Sequence, residues 1–452
     1  MKSSRLRVLV LVMAIGSSVA TGVAQQGGSS VPYEAVIPES KVALSLLYGS
    51  LIPLKDGRLL WIWGTGRARK PLQPFQKNIS TDGGRTWSDP TPLRLASGEP
   101  ITGVFNANLV RLRSGKLGLF LAPDLRPDRL AFHVSSDEGE TWSEGVEIGT
   151  PPVYTTGDKA IVLKTGRIVI PVYGGLSGPK LEVAKPKLNI HGEKFGLNGI
   201  NGFWYSYTYF SDDEGKTWKR STNEVFILYD KGMKGLYGAG EPALVELKDG
   251  SVMMFLRTSL MRVFRSLSPD GGNTWLEPEP TSLVSPPAPT SLGRIPSTGD
   301  LLVIWQQVSN YEGMIGLYRH RITAAISKDD GKTWQNHRNL ESLDDTSVIE
   351  GPVEPSLNGV YRQPLDRKRY HRAPGPLRCS YPTLTFLGDT AVITYGLSSL
   401  GEESTLEEVY KTNSKAVFAK LGLGDIGRAN KVRVLPVSWF YEPAAPAVAQ
   451  QK

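Results

Sequence analysis

Ser80-Thr-Asp-Gly-Gly-Arg-Thr-Trp87 is the first of five similar stretches. It returns as Ser135-Ser-Asp-Glu-Gly-Glu-Thr-Trp142, Ser211-Asp-Asp-Glu-Gly-Lys-Thr-Trp218, Ser268-Pro-Asp-Gly-Gly-Asn-Thr-Trp275 and Ser327-Lys-Asp-Asp-Gly-Lys-Thr-Trp334. A pattern Ser-x-Asp-x-Gly-x-Thr-Trp repeated along one chain marks a repeated supersecondary unit. In such a turn the Ser and Asp side chains can bond backbone groups, the Gly allows positive φ, and the Trp can pack beneath the turn. Asp82, Asp137, Asp213, Asp270 and Asp329 are therefore read as structural, because five equivalent turns cannot share one active site.

Successive Ser positions are 55, 76, 57 and 59 residues apart, room for a four-stranded sheet of short strands. The long second interval points to an insertion of about 20 residues within 174–202, a Gly-, Pro- and Lys-rich run. A second repeat counts the units. Lys55-Asp-Gly57, Arg113-Ser-Gly115, Lys164-Thr-Gly166, Lys248-Asp-Gly250, Ser297-Thr-Gly-Asp300 and Leu387-Gly-Asp389 each precede an apolar strand. Six such hairpins predict an all-β, six-bladed propeller whose sixth blade lacks the Ser-x-Asp turn. The turn motif is known as the Asp-box, and the chain resembles sialidases and other Asp-box (BNR-repeat) propellers across nearly its whole length.

Residues 1–24 read as a secretory leader, with Lys2, Arg5 and Arg7 ahead of an apolar core and Gly22-Val-Ala24 for cleavage. The apolar run is too short to span a bilayer. Export with a single cysteine, Cys379, and so no intrachain disulfide, points to a bacterial periplasmic or secreted protein. The net charge is +8, from 52 basic and 44 acidic residues; the charges are scattered and no nucleic-acid-reading motif occurs. The propeller is expected over 33–442. Residues 33–47 are expected to give an outer or closing strand, 432–440 a final strand, 406–421 the single helix, and 443–452 a disordered tail.

Propellers hold ligands at the axis, so polar residues at the ends of inner strands are the candidates. In Gly240-Glu-Pro-Ala-Leu-Val-Glu-Leu-Lys-Asp-Gly-Ser-Val-Met-Met-Phe-Leu-Arg257, Glu241 precedes one apolar strand and Arg257 ends the next. One hairpin brings both to the same end; the plainer reading is a structural ion pair. This spacing is similar to a Glu and an Arg on one sialidase hairpin. Arg319, in Arg319-His-Arg-Ile-Thr, is similar to a sialidase substrate-binding Arg, with Arg321 as its rival, because strand alternation puts both on one face. Tyr381, in Cys379-Ser-Tyr-Pro-Thr-Leu-Thr, resembles the sialidase nucleophile; otherwise it is a packed aromatic. The resemblance implies a Tyr381 nucleophile, Glu241 as its base, and Arg257 and Arg319 clamping a sugar carboxylate. A phenol suits an anomeric carbon bearing a carboxylate, which would repel a carboxylate nucleophile.

The resemblance is incomplete. The first-blade Arg of sialidases is missing from Leu47-Tyr-Gly-Ser-Leu-Ile-Pro53, and the loop 64–78 has no carboxylate to serve as general acid. Arg67, Arg69 or Lys70 could supply the positive charge, and Asp124, Asp128 or Asp158 the acid; as surface turn residues they would do neither. Three readings follow: an exo-sialidase-type hydrolase acting on a glycan with an acidic sugar, a lyase of uronic-acid glycans, or a non-catalytic glycan-binding propeller. No cofactor or metal is expected, since His133, His191, His320, His337 and His371 show no ligand spacing.

Overall fold

The computed structural model describes residues 31–37, 49–64, 72–123, 129–150, 153–175, 188–190, 193–195, 204–229, 235–309, 312, 319–342, 355, 371–372, 375–400, 404–405 and 429–442. The expected leader, helix and disordered tail, together with Arg67, Arg69, Lys70, Asp124, Asp128 and most of 174–202, lie outside them.

Six four-stranded antiparallel sheets form a six-bladed propeller. From the axis outward, blade 1 runs Ser50–Pro53, Leu59–Trp63, Gln76–Ser80 and Thr91–Pro92. Blade 2 runs Gly103–Arg111, Leu117–Pro123, Ala131–Ser135 and Val146–Glu147, and blade 3 Ile161–Val162, Ile168–Gly175, Trp204–Ser211 and Lys219–Arg220. Blade 4 runs Gly240–Glu246, Val252–Arg257, Arg262–Ser268 and Glu279–Val284; blade 5 runs Ser291–Arg294, Leu301–Gln306, Ile322–Ser327 and Gln335–Glu341. Second strands such as Leu59–Trp63 and Leu301–Gln306 are buried at every residue, because a neighbouring blade covers each face. The apolar interior is accordingly split into six clusters, one at each blade junction; Ile52, Leu60, Leu109 and Leu119, for example, join blades 1 and 2.

Blade 6 takes three strands from the C-terminal part of the chain, Gly375–Leu387, Thr390–Leu400 and Ala429–Pro436, and its outermost strand, Tyr33–Ile37, from the N-terminal part. The register Tyr33↔Val434 to Ile37↔Asn430 closes the ring. The expected final strand at 432–440 is therefore shifted. It spans Ala429–Pro436, where Pro436 ends the ladder and Val437–Phe440 turn as a 3-10 helix.

The Asp-boxes follow the third strands of blades 1 to 5. First and third strands run in the same direction, so the boxes sit at the end opposite the start of the inner strands. In the first box Ser80 Oγ donates to Asp82 Oδ1 at 2.8 Å, Gly84 N donates to Ser80 Oγ at 2.8 Å, and Thr86 N and Oγ1 donate to the Asp82 carboxylate at 2.8 and 2.6 Å. The same set recurs around Asp137, Asp213 and Asp329, so these carboxylates are committed to their own turns.

The residue after the Asp varies, and its side chain has a separate task. Glu138, Glu214 and Asp330 sit at φ 59°, 59° and 57° and reach the hairpin turn of the preceding blade. They accept Lys55 N at 3.0 Å, Ser114 N at 2.7 Å and Lys248 N at 3.0 Å. Glu138 also takes a two-pronged bond from Arg111, at 2.5 and 2.9 Å. That bond, opposed by burial, holds its carboxyl from 4.5 down to about 2. A depressed folded-state pKa stabilises above the unfolded value and is lost as pH falls. Glu138→Ala is expected to destabilise the fold by about 1–2 kcal/mol near neutrality. Urea melts should show the deficit shrinking as pH drops from 4.5 towards about 2.

Among the described residues no helix is long and apolar enough to cross a membrane.

Candidate active site

Glu241 opens the inner strand of blade 4 inside a β-bulge between Gly240 and Ala243, at φ 45°. The bulge breaks the two-residue alternation and re-aims one side chain. Tyr381 sits in the matching bulge of blade 6, between Ser380 and Thr383, at φ 52°. The two bulged residues meet across the axis: Tyr381 Oη donates to Glu241 Oε1 at 2.9 Å. Arg257, last in its strand and in register with Gly240, donates from Nη1 to Glu241 Oε2 at 2.5 Å.

Arg319 lies three residues before the third strand of blade 5, at φ 62°. Its carbonyl accepts Cys379 N at 2.5 Å, which ties it to the strand carrying Tyr381. Its guanidinium lies 5.4 Å from the centre of the Tyr381 ring and donates to Pro287 O at 3.2 Å. Its Nη1 is buried with no acceptor, and no carboxylate pairs with it among the described residues. Arg321 turns elsewhere, bonding Glu312 at 3.1 Å alongside His320 at 2.8 Å. Strand alternation does not decide between the two arginines, because 319–321 precede the strand and Arg319 has a left-handed backbone.

Glu241 and Arg257 retain 11% and 20% of their side-chain surface, so they form a floor that can still be reached from outside. Burial pushes the Glu241 carboxyl up. The charges of Arg257 and Arg319, with hydrogen bonds from Arg257 and Tyr381, outweigh it and hold the carboxyl below its ordinary value. The result is a carboxylate placed to take the phenolic proton, beside two guanidiniums.

Asp158, a candidate acid with Asp124 and Asp128, is not a surface turn residue. It lines the channel at φ 62°, its Oδ1 accepting Ser50 Oγ at 2.8 Å and its Oδ2 accepting Leu384 N at 3.1 Å. Burial raises its carboxyl, against the pull of Lys159. Four of the six inner strands explain its place. Asn106, Asp158, Glu241 and Tyr381 each stand three residues before an apolar residue of their own inner strand, Leu109, Ile161, Leu244 and Leu384, and all four have positive φ. Aligning the inner strands on that apolar residue is the sequence signal that would have added Asn106 and Asp158 to the axis. At the same rim Tyr154, Tyr173 and Trp204 pack with ring centres 5.3–5.6 Å apart.

The profile of the BNR repeat-like domain matches residues 77–393. A search of curated proteins finds no match. Among solved structures, a protein of unknown function from Dyadobacter fermentans is 18% identical, with a TM-score of 0.55, over 91% of this chain and all of that one. A Hadza microbial sialidase is 17% identical, TM-score 0.53, over 89% of this chain and 69% of that one. An alpha-L-arabinanase from Penicillium chrysogenum, complexed with arabinobiose, is 15% identical, TM-score 0.50, over 89% of this chain and 96% of that one. At these identities the likeness is one of fold.

Proposed function

The chain belongs to the BNR repeat-like domain family of sialidase-like propellers, and from that premise we propose that it is an exported glycoside hydrolase of the exo-sialidase type. The observation that carries the reading is the Tyr381 hydroxyl on the Glu241 carboxylate, flanked by Arg257 and by Arg319 with its unspent donor. The fold shared with a sialidase and an arabinanase supports a glycosidase setting. Export rests on the leader at 1–24.

In this mechanism Arg257 and Arg319 grip the carboxylate of a terminal sialic acid or a related acidic sugar. Glu241 takes the phenolic proton as Tyr381 Oη attacks the anomeric carbon and the aglycone leaves. Water then attacks the anomeric carbon and gives up a proton to solvent as the bond to Tyr381 Oη breaks, Glu241 returns its proton to the phenolate, and the configuration is retained. The aglycone oxygen needs a proton. Asp158 is committed to Ser50 and Leu384 and stands below the nucleophile, so it is not given that task. A leaving group that needs no protonation should then react best. Turnover of an aryl α-sialoside is expected to exceed that of a sialyl-galactoside by about 10²-fold or more. Parallel kcat/KM measurements check this, and equal rates would show an efficient acid at work.

The absence of a carboxylate from 64–78 favours one second reading, elimination from a uronic-acid glycan with Tyr381 as base. An unsaturated, ultraviolet-absorbing product in place of free sialic acid would decide for it.

A further inference from the structure

Beneath the Tyr381–Glu241 pair, two consecutive residues span the channel. Asp158 bonds Ser50 of blade 1 and Leu384 of blade 6, and its N–H reaches Ala107 O of blade 2 at 3.2 Å. Lys159 donates its backbone N–H to Asn108 Oδ1 of blade 2 at 2.5 Å. Its side chain crosses the axis, with Nζ 2.7 Å from Ser291 Oγ of blade 5 and 3.4 Å from Pro382 O of blade 6. Lys159 is only 5% exposed.

Pro382 follows Tyr381 inside the bulge. It has no N–H to give the sheet ladder, and the register is interrupted there. Its carbonyl is instead held from below, by Ser291 Oγ and by Lys159. A tyrosine at φ 52° keeps that conformation only where its surroundings impose it. We propose that Lys159 is a positioning residue for Tyr381: its ammonium, held against the Pro382 carbonyl and the Ser291 hydroxyl, imposes the left-handed bulge that turns the phenol onto Glu241.

The choice of residue favours this role over simple filling. An apolar side chain would fill the axis without burying a charge. The charged groups facing Lys159 are Asp158 on its own segment and Glu241 from blade 4, with Tyr381 and its phenol next along from blade 6. Blades 1, 2 and 5 contribute the neutral Ser50, Asn108 and Ser291. Burial draws the ammonium from 10.5 down to about 8, against the attraction of Asp158 and Glu241. Its charge is therefore lost on the alkaline side, and the hold on Pro382 weakens with it.

This inference rests on reading Tyr381 as the nucleophile, and the test separates the two. Lys159→Met and Ser291→Ala are compared with wild type by hydrogen–deuterium exchange across 379–384 and by pH profiles on an aryl α-sialoside. In Lys159→Met, exchange across 379–384 should speed up while the Asp-box turns stay as protected as before. Its kcat should fall by about 10²-fold with KM changed less than about threefold, and the alkaline limb near pH 8 should disappear. Ser291→Ala should show a smaller loss and keep the limb. Unchanged exchange, or full kcat despite a loosened segment, overturns the proposal. If wild type shows no turnover but Lys159→Met loosens 379–384, the positioning stands and the nucleophile reading falls. If Lys159→Met does not fold, Ser291→Ala decides: a loosened 379–384 upholds the proposal and an unchanged one overturns it.

Discussion

Tyr381→Phe is expected to lower kcat on an aryl α-sialoside by at least about 10⁴-fold, with KM changed less than about threefold. The substitution removes one oxygen, the atom 2.9 Å from Glu241 Oε1. Arg257 and Arg319, which would carry substrate binding, stay in place, so the loss should appear in kcat and not in KM. Stability should fall by only about 1 kcal/mol, for one hydrogen bond at a partly accessible carboxylate. An ordinary phenol, with a pKa of about 10, is about 0.1% ionised at neutral pH, which is why the adjacent carboxylate matters. A variant that kept even a tenth of wild-type kcat would remove Tyr381 from the nucleophile's role.

The second large effect is at Glu241. Glu241→Gln keeps the shape but cannot take a proton, and kcat should fall by about 10²–10⁴-fold. It also leaves Arg257 and Arg319 without a facing negative charge. Breaking a fully buried ion pair costs about 3–5 kcal/mol; here water still reaches the floor, and a loss of about 2 kcal/mol is expected in urea melts. The pH behaviour supplies a sign. Glu241's folded-state pKa lies below its ordinary 4.5, so the carboxylate, and with it both base function and pairing energy, persists above that value and is lost as pH falls below it. The acid limb of kcat/KM should therefore lie below pH 4.5 in wild type. Arg257→Ala removes the largest opposing charge, so the limb should move to higher pH. A limb that did not move would mean that another group is the base.

Local patterns in the sequence carried much of this fold. Five Ser-x-Asp turns and six Gly-containing hairpins count the blades, because each is fixed by residues adjacent in the chain. That Glu241 and Arg257 share one strand end could be read for the same reason: a single hairpin joins them. Arg319 and Arg321 were indistinguishable while both were treated as strand residues, since a left-handed residue ahead of a strand leaves no mark in period-two alternation. In the sequence Asp158 looks like a turn residue, because its partners, Ser50 and Leu384, lie 108 and 226 residues away. The meeting of Tyr381 with Glu241, 140 residues apart, likewise needed the ring to be assembled.

The strand Tyr33–Ile37 is made early and used last. Its partner, Ala429–Pro436, lies about 400 residues further on, so the ring cannot close until nearly the whole chain has emerged. Loop-closure entropy grows only slowly with length, so the distance costs the finished protein little, but it delays the step that completes the sixth blade. During that interval Ala429–Pro436 is a bare edge, and any other copy's Tyr33–Ile37 fits it equally well. Concentrated refolding should therefore yield strand-exchanged oligomers, each ring closed by its neighbour's first strand, in proportion to protein concentration.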